Sequence, residues 1–263
     1  MSCGLEQSRI IGERSGRGLP SLRAGAPRRS QQCPRPDRFS HQVLLAGWDG
    51  HERRPKADTR RADELLSQAL ALDPTNAWAH SSKAWNLRDQ GRIEEALAER
   101  ERALVLDPGD VGTLQSLAWD HVWLGHFDKG LELFDKSIRL SPRDPALQFM
   151  YLGKSWTYFA LKQYDQAIDW ARRAIVLGTS IPFPHLFLAA ALALTGQEAE
   201  AREALQQYLA LPSSERLRTI AAFKEYNARF INPNSDRRVL DNLERHYEGL
   251  RKAGMPEGEA KSN

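Results

Sequence analysis

Apolar positions show almost no periodicity through residue 42, and from about residue 43 they recur at helical spacing. In ADELLSQALALDP, Leu65, Leu66, Ala69, Leu70 and Leu72 fall on that spacing, and Pro74 stops the run. The stretch NAWAHSSKAWNLRDQGRIEEALAERERALVLDP predicts two short helices, separated by Gly91 and ended by Pro108. VGTLQSLAWDHVWLGHFDKGLELFDKSIRLSP repeats the arrangement, breaking at Gly125 and ending at Pro142. Pro74, Pro108 and Pro142 stand 34 residues apart, and ALALDP returns as ALVLDP. A period of this size is the mark of a solenoid, in which each helix pair buries its apolar face against its neighbours.

Helices that stack this way need small side chains where they approach most closely. Ala84, Ala118, Ser155 and Ala189 fall in the first helices, and Ala96, Gly130, Ala167 and Ala201 open the second. Ala69, Ala103, Ser137 and Ala174 lie near the second helix's end, while Leu117, Phe134, Tyr158 and Leu205 fill the gaps. The step from the third unit to the fourth is 37, so RDPALQF is expected to add a turn. Tyr208 stands where the fifth unit should have a small residue, which suits a last repeat with no close successor.

On these residues the chain resembles the tetratricopeptide repeat family over residues 43–212. The resemblance implies an all-α, right-handed α-solenoid of about five helix pairs. Beyond Pro212, SERLRTIAAFKEYNARF sets Leu217, Ile220 and Phe223 at three-residue steps, and DRRVLDNLERHYEGLRKAG puts Val239, Leu240, Leu243, Tyr247 and Leu250 on one stripe. Residues 213–263 are therefore expected to cap the solenoid's open end. The ending GLRKAGMPEGEA also resembles the extreme C-terminus of some bacterial class III nucleotide cyclases, whose catalytic domain precedes a tetratricopeptide tail.

Composition divides the chain at the same place. Residues 1–40 carry eight Arg, no Lys and three acids, a charge of +5; the whole chain is +3, so the remainder is −2. A nearly neutral body gives no reason to expect nucleic acid. The Gly-, Pro-, Ser- and Arg-rich head, residues 1–42, is expected to be disordered, because it cannot bury enough apolar area to offset its ordering entropy. An RNA-binding arm, a transit peptide and a fusion scar are the other readings of that head. Both cysteines, Cys3 and Cys33, lie in it, so no disulfide or thiolate site is expected in the body, and a reducing cytoplasm follows. No apolar run is long enough to span a membrane, and no signal-peptide core follows Arg9.

The sequence offers little chemistry. No Gly-rich phosphate loop follows a predicted strand, so neither an enzyme nor a cofactor is expected. His121 and His126 have no carboxylate or Cys at a ligand spacing that fits the fold, and no metal is expected. Glu94, Glu95, Glu99 and Glu101 with Arg92, Arg100 and Arg102 read as a solvated, paired helix face. What remains is a surface. In the resembled family the first helices line a groove that takes a peptide. That geometry would align Trp85, Trp119 and Trp156, with Trp78, Phe149 and Phe183 as a second row, Trp123 and Phe159 on the next turn and Arg88 at the edge. The expected function is non-catalytic binding of a protein or peptide there, without nucleic acid or membrane. The alternative is a regulatory remnant of a nucleotide cyclase. The competing reading of the aromatic rows is core packing. An open groove would make Trp119→Ala nearly neutral for stability; a packed core would not.

Overall fold

The prolines end helices where the spacing predicts. The computed structural model describes residues 56–178, 181–228, 230–231 and 235–258. The Arg-rich head and the first helix expected of the first unit fall in residues 1–55, outside the described residues. Helix α1 (Lys56–Leu72) is followed by four helix pairs: α2 (Ala77–Asp89) with α3 (Ile93–Leu106), α4 (Val111–Trp123) with α5 (Phe127–Leu140), α6 (Leu147–Ala160) with α7 (Tyr164–Val176), and α8 (Phe183–Leu194) with α9 (Glu198–Ala210). Among the described residues no strand is present, and the architecture is the expected α-solenoid.

The repeated turn explains itself chemically. Proline halts one helix, and a polar residue two positions later opens the next: Asn76 Oδ1 accepts the Ala79 N–H at 2.9 Å, and Asp110 Oδ1 accepts the Gly112 N–H at 3.1 Å. Within each pair the hinge needs a left-handed residue, supplied by Gly91, Gly125 and Gly196; Lys162 takes the same conformation (φ 61°) in the third pair. The six-residue connection 141–146, against four at 107–110, supplies two of the three extra residues of the longer step, and the fourteen-residue α6, against thirteen in α4, supplies the third.

Small residues sit where the spacing places them. Ala84, Ala96, Ala118, Ala167, Ala189 and Ala201 are buried, and the Ser155 hydroxyl donates to the Ala167 carbonyl at 2.8 Å across the fourth unit's helix pair. Phe134 occupies the space a Cβ on Gly153 would need. Tyr208 differs from expectation. It does have a close successor: a 3₁₀ turn at Pro212–Leu217 covers it, and the buried phenol donates to the Leu217 carbonyl at 2.9 Å.

Helices α10 (Ile220–Asn227) and α11 (Arg237–Ala253) complete the chain. The tail returns across the start of α10, where Pro256 and Glu257 carbonyls accept the Ile220 and Ala221 N–H groups at 2.9 Å each. Helix α11 packs chiefly on α8, and also touches α9 and α6. Its buried face is wider than the predicted stripe. Val239, Leu243, Tyr247 and Leu250 are covered, but so are Asn242, His246, Gly249 and Ala253. These helices therefore do more than close the end of the stack; they lie over the face built by the first helices of the pairs. No helix among the described residues is long and apolar enough to cross a membrane.

A Cβ added at Gly249 would stand 2.5 Å from the Ala190 carbonyl oxygen, a backbone atom that cannot swing aside. Mid-helix Gly→Ala ordinarily stabilises by up to about 1 kcal/mol. Here the overlap reverses the sign, and Gly249→Ala is expected to cost about 1–3 kcal/mol, the range for overpacking a tight site. Urea titration of parent and variant measures it, and a raised midpoint would refute the close seating of α11.

Candidate peptide-binding groove

The first helices α2, α4, α6 and α8 form the inner wall, and they do bring the predicted aromatic rows together. From α4 to α8 that wall is filled, not open. Trp119 is 2% exposed and meets Phe134 edge-on with ring centroids 5.6 Å apart. Trp156, 3% exposed, touches Trp123 (5.9 Å), Phe187 (4.8 Å) and Phe159 (6.4 Å) on the wall and His246 of α11 (5.0 Å) above it. Phe159 also meets His246 at 5.3 Å. Phe183 packs against Phe223 (6.4 Å) and Tyr226 (5.4 Å) of α10, and Phe149 is buried with it. Trp123 stacks on Phe230, which follows α10, at 4.7 Å. Arg88 is buried at the edge, its guanidinium 5.5 Å from the Trp85 ring and 5.3 Å from Phe230.

The open strip expected from α4 onward is thus corrected to one covered in cis. The cause is apolar complementarity: α10, Phe230 and α11 carry an aromatic set of their own, and each large ring removes about 150–250 Å² from water when buried. At the N-terminal end the wall stays accessible. Trp85 is partly buried, and Trp78, two turns earlier on α2, is 59% exposed.

Behind the wall lies a charge cluster that differs from the solvated face expected on α3. Arg92 pairs with Glu95 at the surface, and the exposed Arg102 pairs with Glu99, which is itself buried. Arg100, in contrast, is wholly buried, bonded through Nε to Asp120 Oδ2 and lying 4.7 Å from the Trp85 ring. Arg88 Nη1 stands 3.6 Å from the other Asp120 oxygen. Burial, more than any neighbour, pushes the Arg100 guanidinium below its usual range. Glu99 also turns inward, accepting from His80 Nδ1 at 2.6 Å with Lys83 Nζ at 3.4 Å. A signal for Arg100 existed: it is four residues after Ala96 and three before Ala103, on the helix's small-residue side.

His246 is the functional-looking group the sequence reading missed, although it lies three residues after Leu243 and four before Leu250, at the edge of the apolar stripe. It is fully buried among Trp156, Phe159, Phe187 and Phe223, and neither ring nitrogen makes a well-formed hydrogen bond. Burial pushes its pKa down to about 3, a shift the Leu186 backbone offsets in part. His121 and His126 come closer than the sequence suggests, their Nδ1 atoms 3.2 Å apart across the Gly125 turn. Burial lowers the His121 pKa, helped by its His126 neighbour. Among the described residues no group of three or more His, Cys, Asp or Glu could hold a metal ion.

Burial of Trp119 reverses the outcome expected of an open groove. Trp119→Ala should cost about 3–5 kcal/mol in denaturant titration, and a loss under about 1 kcal/mol would place the ring outside the core. The His246 imidazole is neutral in the fold and readily protonated when unfolded, so its contribution is present above about pH 6.5 and lost as pH falls toward 3. Between pH 6.5 and 5 the parent should lose about 1.5 kcal/mol from this group. His246→Leu should flatten that part of the pH profile, and a profile unchanged by the substitution would remove His246 as its source.

Comparison with known proteins agrees with this geometry. Two profiles described as tetratricopeptide repeat match the chain, one at residues 116–180 and one at residues 77–102 and 182–207. Among solved structures, PilW, a type IV pilus biogenesis factor, superposes with a TM-score of 0.59 at 19% identity, over 87% of this chain and 97% of its own. PilF of Pseudomonas aeruginosa gives 0.55 at 17% identity, over 82% and 95%. MamA gives 0.52 at 18%, over 60% and 90%. No curated protein matches the chain, and the likeness to nucleotide-cyclase tails finds no support there. At such identities the superpositions bear on the fold alone. The matched repeats fall within α2–α9, and the superposed structures share the fold of that solenoid.

Proposed function

We propose that this chain is a non-catalytic interaction scaffold that takes a protein or peptide partner on the inner wall of its repeats, in the cytoplasm. Tetratricopeptide folds bind protein or peptide partners, so the fold sets the class of function. The observation that carries the reading is Trp78. An indole 59% exposed on the wall that is otherwise filled with rings, with partly buried Trp85 two turns away and Arg88 one turn beyond, has the make-up of an interaction anchor. The covered positions Trp119, Trp123, Phe149, Trp156, Phe159 and Phe183 then act as the floor that fixes this end in place. A partner would lie along α2 with an apolar side chain against the two indoles, the helix faces supplying shape and the rim supplying polar contacts.

Peptide-display selection on the full chain tests the reading. Selected peptides should bind the parent and lose at least about tenfold in affinity, some 1.4 kcal/mol, on Trp78→Ala,Trp85→Ala. Peptides bound equally by parent and double variant would move the binding surface elsewhere.

A further inference from the structure

One ring on the inner wall belongs to none of the helices. Phe230 follows α10, its N–H donating to the Asn227 carbonyl at 2.9 Å. Its ring stacks on Trp123 with centroids 4.7 Å apart and planes 21° from parallel. The Arg88 guanidinium lies 5.3 Å from its centre, and Tyr226 meets it edge-on at 5.7 Å. An indole face, a guanidinium and a ring edge recognise any flat π system, and nothing in that slot is particular to residue 230. Phe230 is itself only half-buried.

The space left beside it decides how a ligand could enter. The cavity bounded by Arg88, Trp119, Trp123, Trp156, Tyr226 and Phe230 measures about 20 Å³. That is room for one water and far too little for an aromatic ring. A ligand's ring can reach the slot only by taking the place of Phe230.

We propose that the Arg88–Trp123 slot is an acceptor for an aromatic side chain, Phe, Tyr or Trp, carried by a non-helical segment of a partner, and that Phe230 holds it in cis. The proposal deepens the peptide-binding reading above, on which it rests, and adds a regulated second contact beside the open Trp78 end. Exchange is nearly balanced, because the incoming ring regains the stack and the cation–π contact that the outgoing ring gives up. What favours Phe230 is its tether, which gives it a local concentration in the millimolar range. A partner already anchored at Trp78 would gain a comparable local concentration and could compete.

The probe is a synthetic peptide copying Tyr226–Asn234, YNARFINPN, with ANARAINPN, which carries no aromatic residue, as control, titrated into full-length protein and followed by tryptophan fluorescence and calorimetry. Phe230→Ala should bind YNARFINPN at least about tenfold more tightly than the parent, whose slot is free only in the fraction of molecules with their own ring displaced. It should not respond to the control. Phe230→Trp, which keeps a ring in place, should bind no more tightly than the parent. Binding of neither peptide by Phe230→Ala, binding of both alike, or equal binding by parent and variant would each overturn the proposal. If circular dichroism shows Phe230→Ala unfolded, Phe230→Leu replaces it with the same expectations. Trp78→Ala built into Phe230→Ala should leave binding of YNARFINPN in place, so failure of the slot and failure of the open-end reading are separable.

Discussion

The backbone of α11 at Gly249 runs against the Ala190 carbonyl of α8, and this approach governs what the inner wall can be. With no side chain at residue 249 and a methyl at 190, the helices come near enough for His246 to reach the rings of Trp156, Phe159 and Phe187. Were they held farther apart, those rings would face water, and the apolar gain from covering them would vanish. The filled half of the groove thus follows from one glycine as much as from the aromatics that fill it.

The filled wall has an electrostatic counterpart at its other end. Arg100 and Asp120 are both buried, and such a pair adds little net stability, since each charge loses its hydration. Its effect is on position. The guanidinium lies against Trp85, and Asp120 also faces Arg88, so α2, α3 and α4 are locked in one register around the indole. Breaking either partner would leave an uncompensated charge beside the accessible end of the groove. The position of Trp85 and the packing of the second and third units are therefore tied together at one cluster.

Much of this was legible in the sequence because repeats state their own rules more than once. Proline spacing, left-handed glycines and small residues at fixed offsets each recur, and Ala84, Ala96, Ala118 and Ala189 are buried where the period puts them. The aromatic rows were found by the same logic. Whether they were covered was not legible, since the covering elements lie outside the repeat and follow no period. Only part of α11's contact face is apolar. His246 and Asn242 are buried through what they meet, so a stripe of hydrophobic positions understated the surface α11 uses. Arg100 was misassigned for a related reason, because a charged residue among other charges looks solvated unless its offset from the small residues is weighed.

Helix α11 touches α6, α8 and α9, and so spans two repeats in place of one. A simple solenoid is a one-dimensional chain of nearest-neighbour contacts, free to fray from either end. A helix that packs on two units at once adds a contact beyond their shared interface, which ties the fourth and fifth repeats into one cooperative block. The second repeat lacks such a strap among the described residues and keeps the fraying behaviour of an ordinary array. The molecule is thereby mechanically asymmetric, stiff where its own chain fills the wall and compliant where Trp78 meets solvent. Amide exchange protection should divide along that line, with slow, concerted opening in α6–α11 and faster, local opening in α2.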